Sequence, residues 1–231
     1  MQKKKELLIV VLLICLVLVG CSGANRGDTE NSNVNRPTEY EYSIKKPIIY
    51  VYGYEEPVTL KFDFKDSTAL VSSYPEYNDG WTINAHKDGH FADNTGKVYR
   101  YLFWEGATGH NYLGSEGFCV RGTETADFLE EKLTLLGFSA DERNDFISYW
   151  LPEMQNNPWN VISFVTEDYE KNVVLNVTPE PTNTLRVMMI WYPWLQKINM
   201  TPQELTPCNI NREEPTIVEW GGMQVANFEN H

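Results

Sequence analysis

The sequence is poor in the residue types that most often carry chemistry. Its 231 residues include four histidines and four cysteines. No G-x-S-x-G, H-E-x-x-H, G-x-G-x-x-G or P-loop segment occurs, so the usual sequence grounds for a serine hydrolase, a zinc protease, a dinucleotide enzyme or a P-loop NTPase are missing. His86 and His90 flank Asp88-Gly89 with no third ligand beside them, and nothing near His110 in sequence orients it as an acid or base. Glu76, Asn78 and Asp79 lack the spacing of a calcium loop and read as turn residues. No metal and no cofactor is expected. Basic residues are scarce as well: 19 Lys and Arg stand against 32 Asp and Glu, a net charge of −13. A surface of that sign repels nucleic acid, anionic lipid headgroups and anionic cell-wall polymers; it favours cationic or neutral partners, or serves solubility alone.

Long apolar runs are also absent, and the one that exists is informative. Leu7 to Val19 is 13 residues, short of the roughly 20 needed to span a bilayer. Lys3, Lys4 and Lys5 precede it, and Leu18-Val19-Gly20-Cys21 closes it. That is the layout of a bacterial lipoprotein signal: export, attachment of a diacylglyceryl group to the Cys21 thiol, and cleavage before Cys21. Two acyl chains suffice for stable anchoring, so the expected location is the cell membrane, lipid-anchored, on its extracytoplasmic face. Cleavage removes three lysines and Glu6 and leaves a charge of about −15. Residues 1–20 are then a signal peptide and residues 21–45 a lipidated N-terminus with a flexible tether. The stretch SGANRGDTENSNVNRPTEYEY is too polar to bury itself, and a coil of that length reaches roughly 25 Å. Residues 46–231 form a single extracellular α+β domain.

Within that domain strand signals dominate. Val58, Leu60, Phe62 and Phe64 alternate with polar residues, as in a half-buried strand. Pro47–Tyr52 is apolar throughout, and further runs are 69–74, 81–86, 98–104, 117–121, 161–166, 173–177, 185–191 and 216–220. Asp88-Gly89 marks a hairpin turn. Two helices interrupt them. In the first, over about 124–136, Ala126, Leu129, Leu133 and Leu136 keep helical spacing, with Gly137 past its end. In the second, Ser139 and Glu142 make a capping box, Phe146, Ile147, Trp150 and Leu151 line one face, and Pro152 stops or kinks the helix. The expected fold is α+β, a mainly antiparallel sheet or sandwich with an inserted helical hairpin.

The segments KPIIYVY, YPEYNDGW, YLFWEG, GFCVRG, FLEEKLTLLGF, FISYWLPEM and IVEWGG, in this order, resemble a family of uncharacterised bacterial proteins that are secreted or lipid-anchored. They cover most of the chain from Lys46 to Gly222. The resemblance implies no activity and no catalytic residue. The sequence departs from the family pattern at Gly53, where proline usually follows the second tyrosine, at Cys119, where an aliphatic residue is ordinary, and in the aromatic-rich WYPWLQK.

Three sets of residues are candidates for function. Glu105 in YLFWEG and Glu219 in IVEWGG each adjoin a tryptophan and a glycine. Two carboxyls held at a fixed distance are the machinery of glycoside hydrolysis, and a neighbouring indole can raise a carboxyl pKa. Each glutamate can equally end a strand and satisfy backbone donors. Trp191, Tyr192 and Trp194 around Pro193 can form an apolar platform for a glycan, peptide or lipid, or pack in the core. Cys119 and Cys208, the cysteines outside the leader, can pair in an oxidising compartment, though no framework spacing demands it. The sequence therefore reads as a surface-anchored lipoprotein, a binding or interaction module with a glycan, peptide or envelope-protein partner; the alternative is an envelope or environmental glycan hydrolase using the carboxylate pair.

Overall fold

The computed structural model describes residues 42–112 and 114–226; the expected signal peptide, Cys21 and most of the expected tether lie outside them. Twelve strands and three helices are found among the described residues. In chain order they are β1 (Tyr42–Tyr52), β2 (Val58–Phe64), β3 (Thr68–Tyr74), β4 (Trp81–Ala85), β5 (Phe91–Asp93), β6 (Val98–Tyr99), β7 (Leu102–Thr108), β8 (Phe118–Arg121), α1 (Thr125–Leu135), α2 (Ala140–Met154), β9 (Trp159–Phe164), α3 (Thr166–Asn172), β10 (Val173–Thr178), β11 (Asn183–Trp194) and β12 (Thr216–Gln224). The fold is α+β, as its patterning implies. One sheet has seven strands in the order β3-β7-β1-β12-β11-β9-β8, and the other has five in the order β10-β2-β4-β5-β6. All pairings are antiparallel except β11 with β12.

Strand alternation sorts the side chains of the larger sheet into two cores. On one face Ile49, Val51, Trp104, Met188, Ile190 and Ile217 pack against Val58, Leu60, Trp81 and Ile83 of the smaller sheet. On the other, Ile48, Tyr50, Met189, Trp191, Val218 and Trp220 pack under the α1–α2 hairpin, against Leu129, Leu133, Phe146 and Trp150. The central strands are buried on both faces, which is why β1 and β11 read as nearly continuous apolar runs.

The hairpin forms as its local signals specify. Ser139 Oγ accepts from Glu142 N–H while the Glu142 carboxylate accepts from Ser139 N–H, satisfying donors that the first turn leaves free. Gly137 takes φ +94 between the helices. Pro152 does not stop α2, which runs on to Met154. Its missing N–H costs one ladder bond in the last turn, near where the helix ends anyway. Three further boundaries differ from expectation. β1 begins at Tyr42, so 42–45 belong to the sheet rather than the tether. The 98–104 run divides into β6 and β7, which belong to different sheets. The short helix α3 lacks the side-chain cap that marks the start of α2.

Several of the glycine- and aromatic-rich segments resolve into packing devices. In IVEWGG, a Cβ on Gly222 would lie 2.4 Å from Trp150 Cζ2, so glycine lets the α2 indole lie on the sheet. Gly53 has φ +71 and would place a Cβ 2.1 Å from the Glu214 carbonyl oxygen. In YPEYNDGW the Tyr77 hydroxyl accepts from Phe62 N–H and Trp81 Nε1 donates to the Pro75 carbonyl, folding the turn onto β2 and β4.

Candidate functional site

The two candidate carboxylates are not brought together. Trp104 faces the smaller sheet, so Glu105, the next residue along β7, faces the opposite side, near Tyr149 on α2, whose pKa is raised by burial first and then by the Glu105 charge. Glu219 alternates the other way. Its neighbours Val218 and Trp220 lie under the helices, and its own side chain enters the layer between the sheets. There it accepts from Trp104 Nε1 at 3.0 Å, Tyr169 Oη at 3.1 Å and Arg186 Nε at 2.6 Å, and it is 1 % exposed. The sheet itself separates Glu105 from Glu219, and Glu219 is spent on a buried ion pair.

The aromatic trio is likewise divided. Trp191 is buried under α2, edge-on to Trp150. Tyr192 is buried on the opposite face. Only Trp194 reaches solvent; it sits across from Trp159 of β9 and packs edge-on to Tyr192. The cysteines are free thiols: Cys119 on β8 accepts from Ile198 N–H, while Cys208 lies on an exposed loop against the end of α1. Among the described residues no group of three or more His, Cys, Asp or Glu is placed to hold a metal ion.

What the structure does assemble lies along β11. This strand pairs with β12 over Asn183–Trp191, but with β9 only over Met189–Trp194. From Asn183 to Met188 its outer edge therefore has no partner strand; α3 packs alongside it, Leu185 to Met188 are buried, and Thr184 is exposed. Met188 turns its C=O to Val165 N–H and its N–H to Thr166 Oγ1 on that side, so by strand alternation the N–H and C=O of Arg186 and Thr184 point the same way. A cleft of about 480 Å³ lies against this edge, between the start of α3 and the loop around residue 205. A second, of about 620 Å³, lies between the edge and β10. β10 is itself the outermost strand of the smaller sheet, so two open strand edges flank the second cleft.

The electrostatics of this region are one-sided. Glu116, Glu167, Asp168 and Glu204 line the first cleft and Glu180 the second. The one basic residue lining either cleft is Arg186, and its charge is already matched by Glu219. Arg186 also donates from Nη1 to the Val173 carbonyl at 2.8 Å and stacks on the Tyr169 ring. Half-buried Glu170 has its pKa raised by desolvation, against the pull of Arg186. Apolar Leu136, Leu185 and Leu205 complete the first cleft's walls. The clamp that shapes it is Gln203: its Oε1 accepts from Phe164 N–H at 2.9 Å and its Nε2 donates to the Phe164 carbonyl at 2.7 Å, a side-chain imitation of strand pairing. His110 Nε2 meets Asp168 Oδ2 at 2.9 Å at the rim, a contact between residues 58 apart that sequence spacing gives no hint of. No protein-family model, curated protein or solved structure matches the chain.

Proposed function

We propose that this chain is a lipid-anchored binding module of the extracytoplasmic membrane surface, and that its ligand is an extended, cationic peptide segment taken up on the open edge of β11. The observation that carries the reading is a strand edge without a partner strand over Asn183–Val187, exposed at Thr184 and rimmed by carboxylates. Strand addition draws affinity from main-chain hydrogen bonds and specificity from alternate side chains, and an acidic rim selects lysine- or arginine-bearing segments and rejects anionic ones. Anchoring rests on the Leu18-Val19-Gly20-Cys21 motif, and kinship with the secreted and lipid-anchored family on the ordered segments from KPIIYVY to IVEWGG. The hydrolase alternative loses its chemical basis with Glu105 and Glu219 on opposite faces of one sheet.

The test uses the full chain and two peptides of alternating sequence, one Lys-Val and one Glu-Val, followed by calorimetry. The Lys-Val peptide should bind in a salt-sensitive way and the Glu-Val peptide should not. Thr184→Pro removes an N–H that faces the open side and leaves the β12 ladder intact; it should abolish binding while the thermal melt stays near wild type. Equal binding of both peptides, or full binding by Thr184→Pro, refutes the proposal. Anchoring is tested separately: Cys21→Ser should lose incorporated lipid label, and an unchanged level of label rejects it.

A further inference from the structure

At the far end of β11 the surface changes character. Trp194 is 40 % exposed and Leu195 is 85 % exposed, an unusual display of apolar surface for a strand end. Trp194 pairs across the strands with Trp159, and Trp159 in turn pairs with Arg121 of β8. Arg121 places its guanidinium 4.5 Å from the Trp159 ring centroid, and Lys197 places its ammonium 6.0 Å from the same centroid. Lys197 then shares a groove of about 400 Å³ with Lys132, whose ammonium lies over Phe118 and Phe128. Of the acids, only Glu131 lines this groove, and it is paired with Lys132. On a chain of charge −13, one end thus gathers Arg121 and Lys197 around two tryptophans and a projecting leucine, with ion-paired Lys132 in the adjoining groove.

We propose that this end of the molecule docks on an anionic lipid bilayer, with Trp194 and Leu195 in the interface and Arg121, Lys132 and Lys197 at the level of the headgroup phosphates. Indole rings favour the boundary between headgroups and acyl chains, and basic side chains beside them add attraction to anionic lipid. The overall negative charge opposes this contact at long range, and the local cations act at short range. Charges are screened over about 10 Å at ordinary ionic strength, so the bilayer senses the cations beside Trp194 more than the acids of the first cleft, which adjoins the groove beyond Gly117 and Pro202. The inference stands on the patch and holds whether or not Cys21 carries lipid.

Intrinsic fluorescence tests it, because five of the seven tryptophans are at most 3 % exposed and only Trp159 and Trp194 can meet lipid. The full chain is mixed with vesicles of brominated phosphatidylcholine, with and without phosphatidylglycerol. Emission should be quenched in the anionic vesicles, much less in the zwitterionic ones, and the quenching should recede in high salt. Trp194→Phe should lose most of the quenching. Leu195→Asp, at a position exposed enough to leave the fold unaffected, and Arg121→Glu combined with Lys197→Glu should each lose it too. Quenching that is equal in both vesicle types, or undiminished in Trp194→Phe, or absent from anionic vesicles, overturns the proposal.

Discussion

Replacing Glu219 by alanine tests the account of the inter-sheet core most directly. The wild-type carboxylate accepts three hydrogen bonds and faces the Arg186 guanidinium at 2.6 Å, with both side chains at most 5 % exposed. Arg186 cannot shed its proton when its partner is removed; its pKa is held above the ordinary value, with burial opposing and the Glu219 charge more than compensating. The variant therefore leaves a buried cation whose remaining protein acceptor is the Val173 carbonyl. Breaking a buried pair from one side costs about 3–5 kcal/mol, and a charge pair near 4 Å at an effective dielectric of 20 gives a similar figure of about 4 kcal/mol. Trp104 Nε1 and Tyr169 Oη also lose their acceptor, at about 1–3 kcal/mol for each orphaned donor, though these losses overlap and do not add in full.

The expectation is a loss of at least about 3 kcal/mol for Glu219→Ala, read as the shift in urea midpoint at constant slope. Glu219→Gln keeps an acceptor oxygen for Trp104 and Tyr169 but not the charge, and it should fall between wild type and Glu219→Ala. The double variant Glu219→Leu with Arg186→Met should be more stable than Glu219→Ala, because apolar replacement of both partners of a buried pair is often close to neutral. A Glu219→Ala protein within about 0.5 kcal/mol of wild type, the range of an ordinary surface substitution, would refute the reasoning, as would a double variant less stable than either single one.

Leu133→Ala under the helical hairpin should cost about 2–5 kcal/mol through lost transfer energy and a cavity, whereas Ser139→Ala should cost about 0.5–2 kcal/mol through the lost cap; urea melts of the two in parallel check the order. Stability should fall as pH rises above 10. Tyr169 is raised by burial and the Glu219 charge, Tyr50 by burial and Asp145, Tyr52 by burial and Glu142, and Tyr112 by burial and Asp168. The folded state therefore keeps phenolic protons that the unfolded state releases at its ordinary pKa of about 10. Below that pH both states hold them and the contribution is complete; above it each such tyrosine removes about 1.4 kcal/mol per pH unit until its folded pKa is reached. Urea midpoints that stay flat from pH 9 to 11 would contradict this, and Tyr169→Phe should make the decline shallower. Of the two thiols, Cys208 is exposed and Cys119 packs against the inter-sheet core, so iodoacetamide should label Cys208 first in the native protein and both only on unfolding; equal native rates would contradict the placement.

Much of the fold was legible because local and global preferences agree. The alternation of Val58, Leu60, Phe62 and Phe64 defines β2 to the residue, and the capping box at Ser139 and Glu142 forms as its spacing requires. What was not legible depends on partners distant in sequence. The run from Val98 to Trp104 reads as one strand because propensity does not see that Arg100 and Tyr101 carry the chain from one sheet to the other. Lys132 looks like a solvent-facing helix position, yet it covers Phe118 and Phe128, because β8 passes beneath that flank of α1. No side chain caps the start of α3, although Glu167 and Asp168 in its first turn and Lys171 in its last suit the helix dipole.

The candidate site failed to emerge from the sequence for a more general reason. Trp104-Glu105 and Glu219-Trp220 look alike as dipeptides, but in a strand adjacent residues point to opposite faces, and register decides which face is which. Trp104 faces the smaller sheet whereas Trp220 faces the helices, so the glutamate beside each takes the opposite face: Glu105 lies on the helix side and Glu219 in the core between the sheets. A run such as Leu185–Trp194, apolar on both faces, gives no indication that Trp191 and Tyr192 enter separate cores. The open edge of β11 is harder still to read, because it is defined by where β9 ends relative to β11, and no residue of Asn183–Met188 marks that limit. The only local trace is composition: Glu167, Asp168 and Glu204 recur without a lysine among the residues lining the first cleft. A strand edge left open is an invitation to edge-to-edge association between copies, and natural proteins usually blunt such edges with charge. Carboxylates around a cleft that also carries leucines do that for like copies, each of charge −13, while leaving the edge attractive to a chain of opposite sign. The same residues thus discourage self-association and favour a cationic ligand, and the peptide and oligomeric-state measurements should move together when Glu167 and Glu204 are both changed to lysine: binding of the Lys-Val peptide lost, and self-association at high concentration gained.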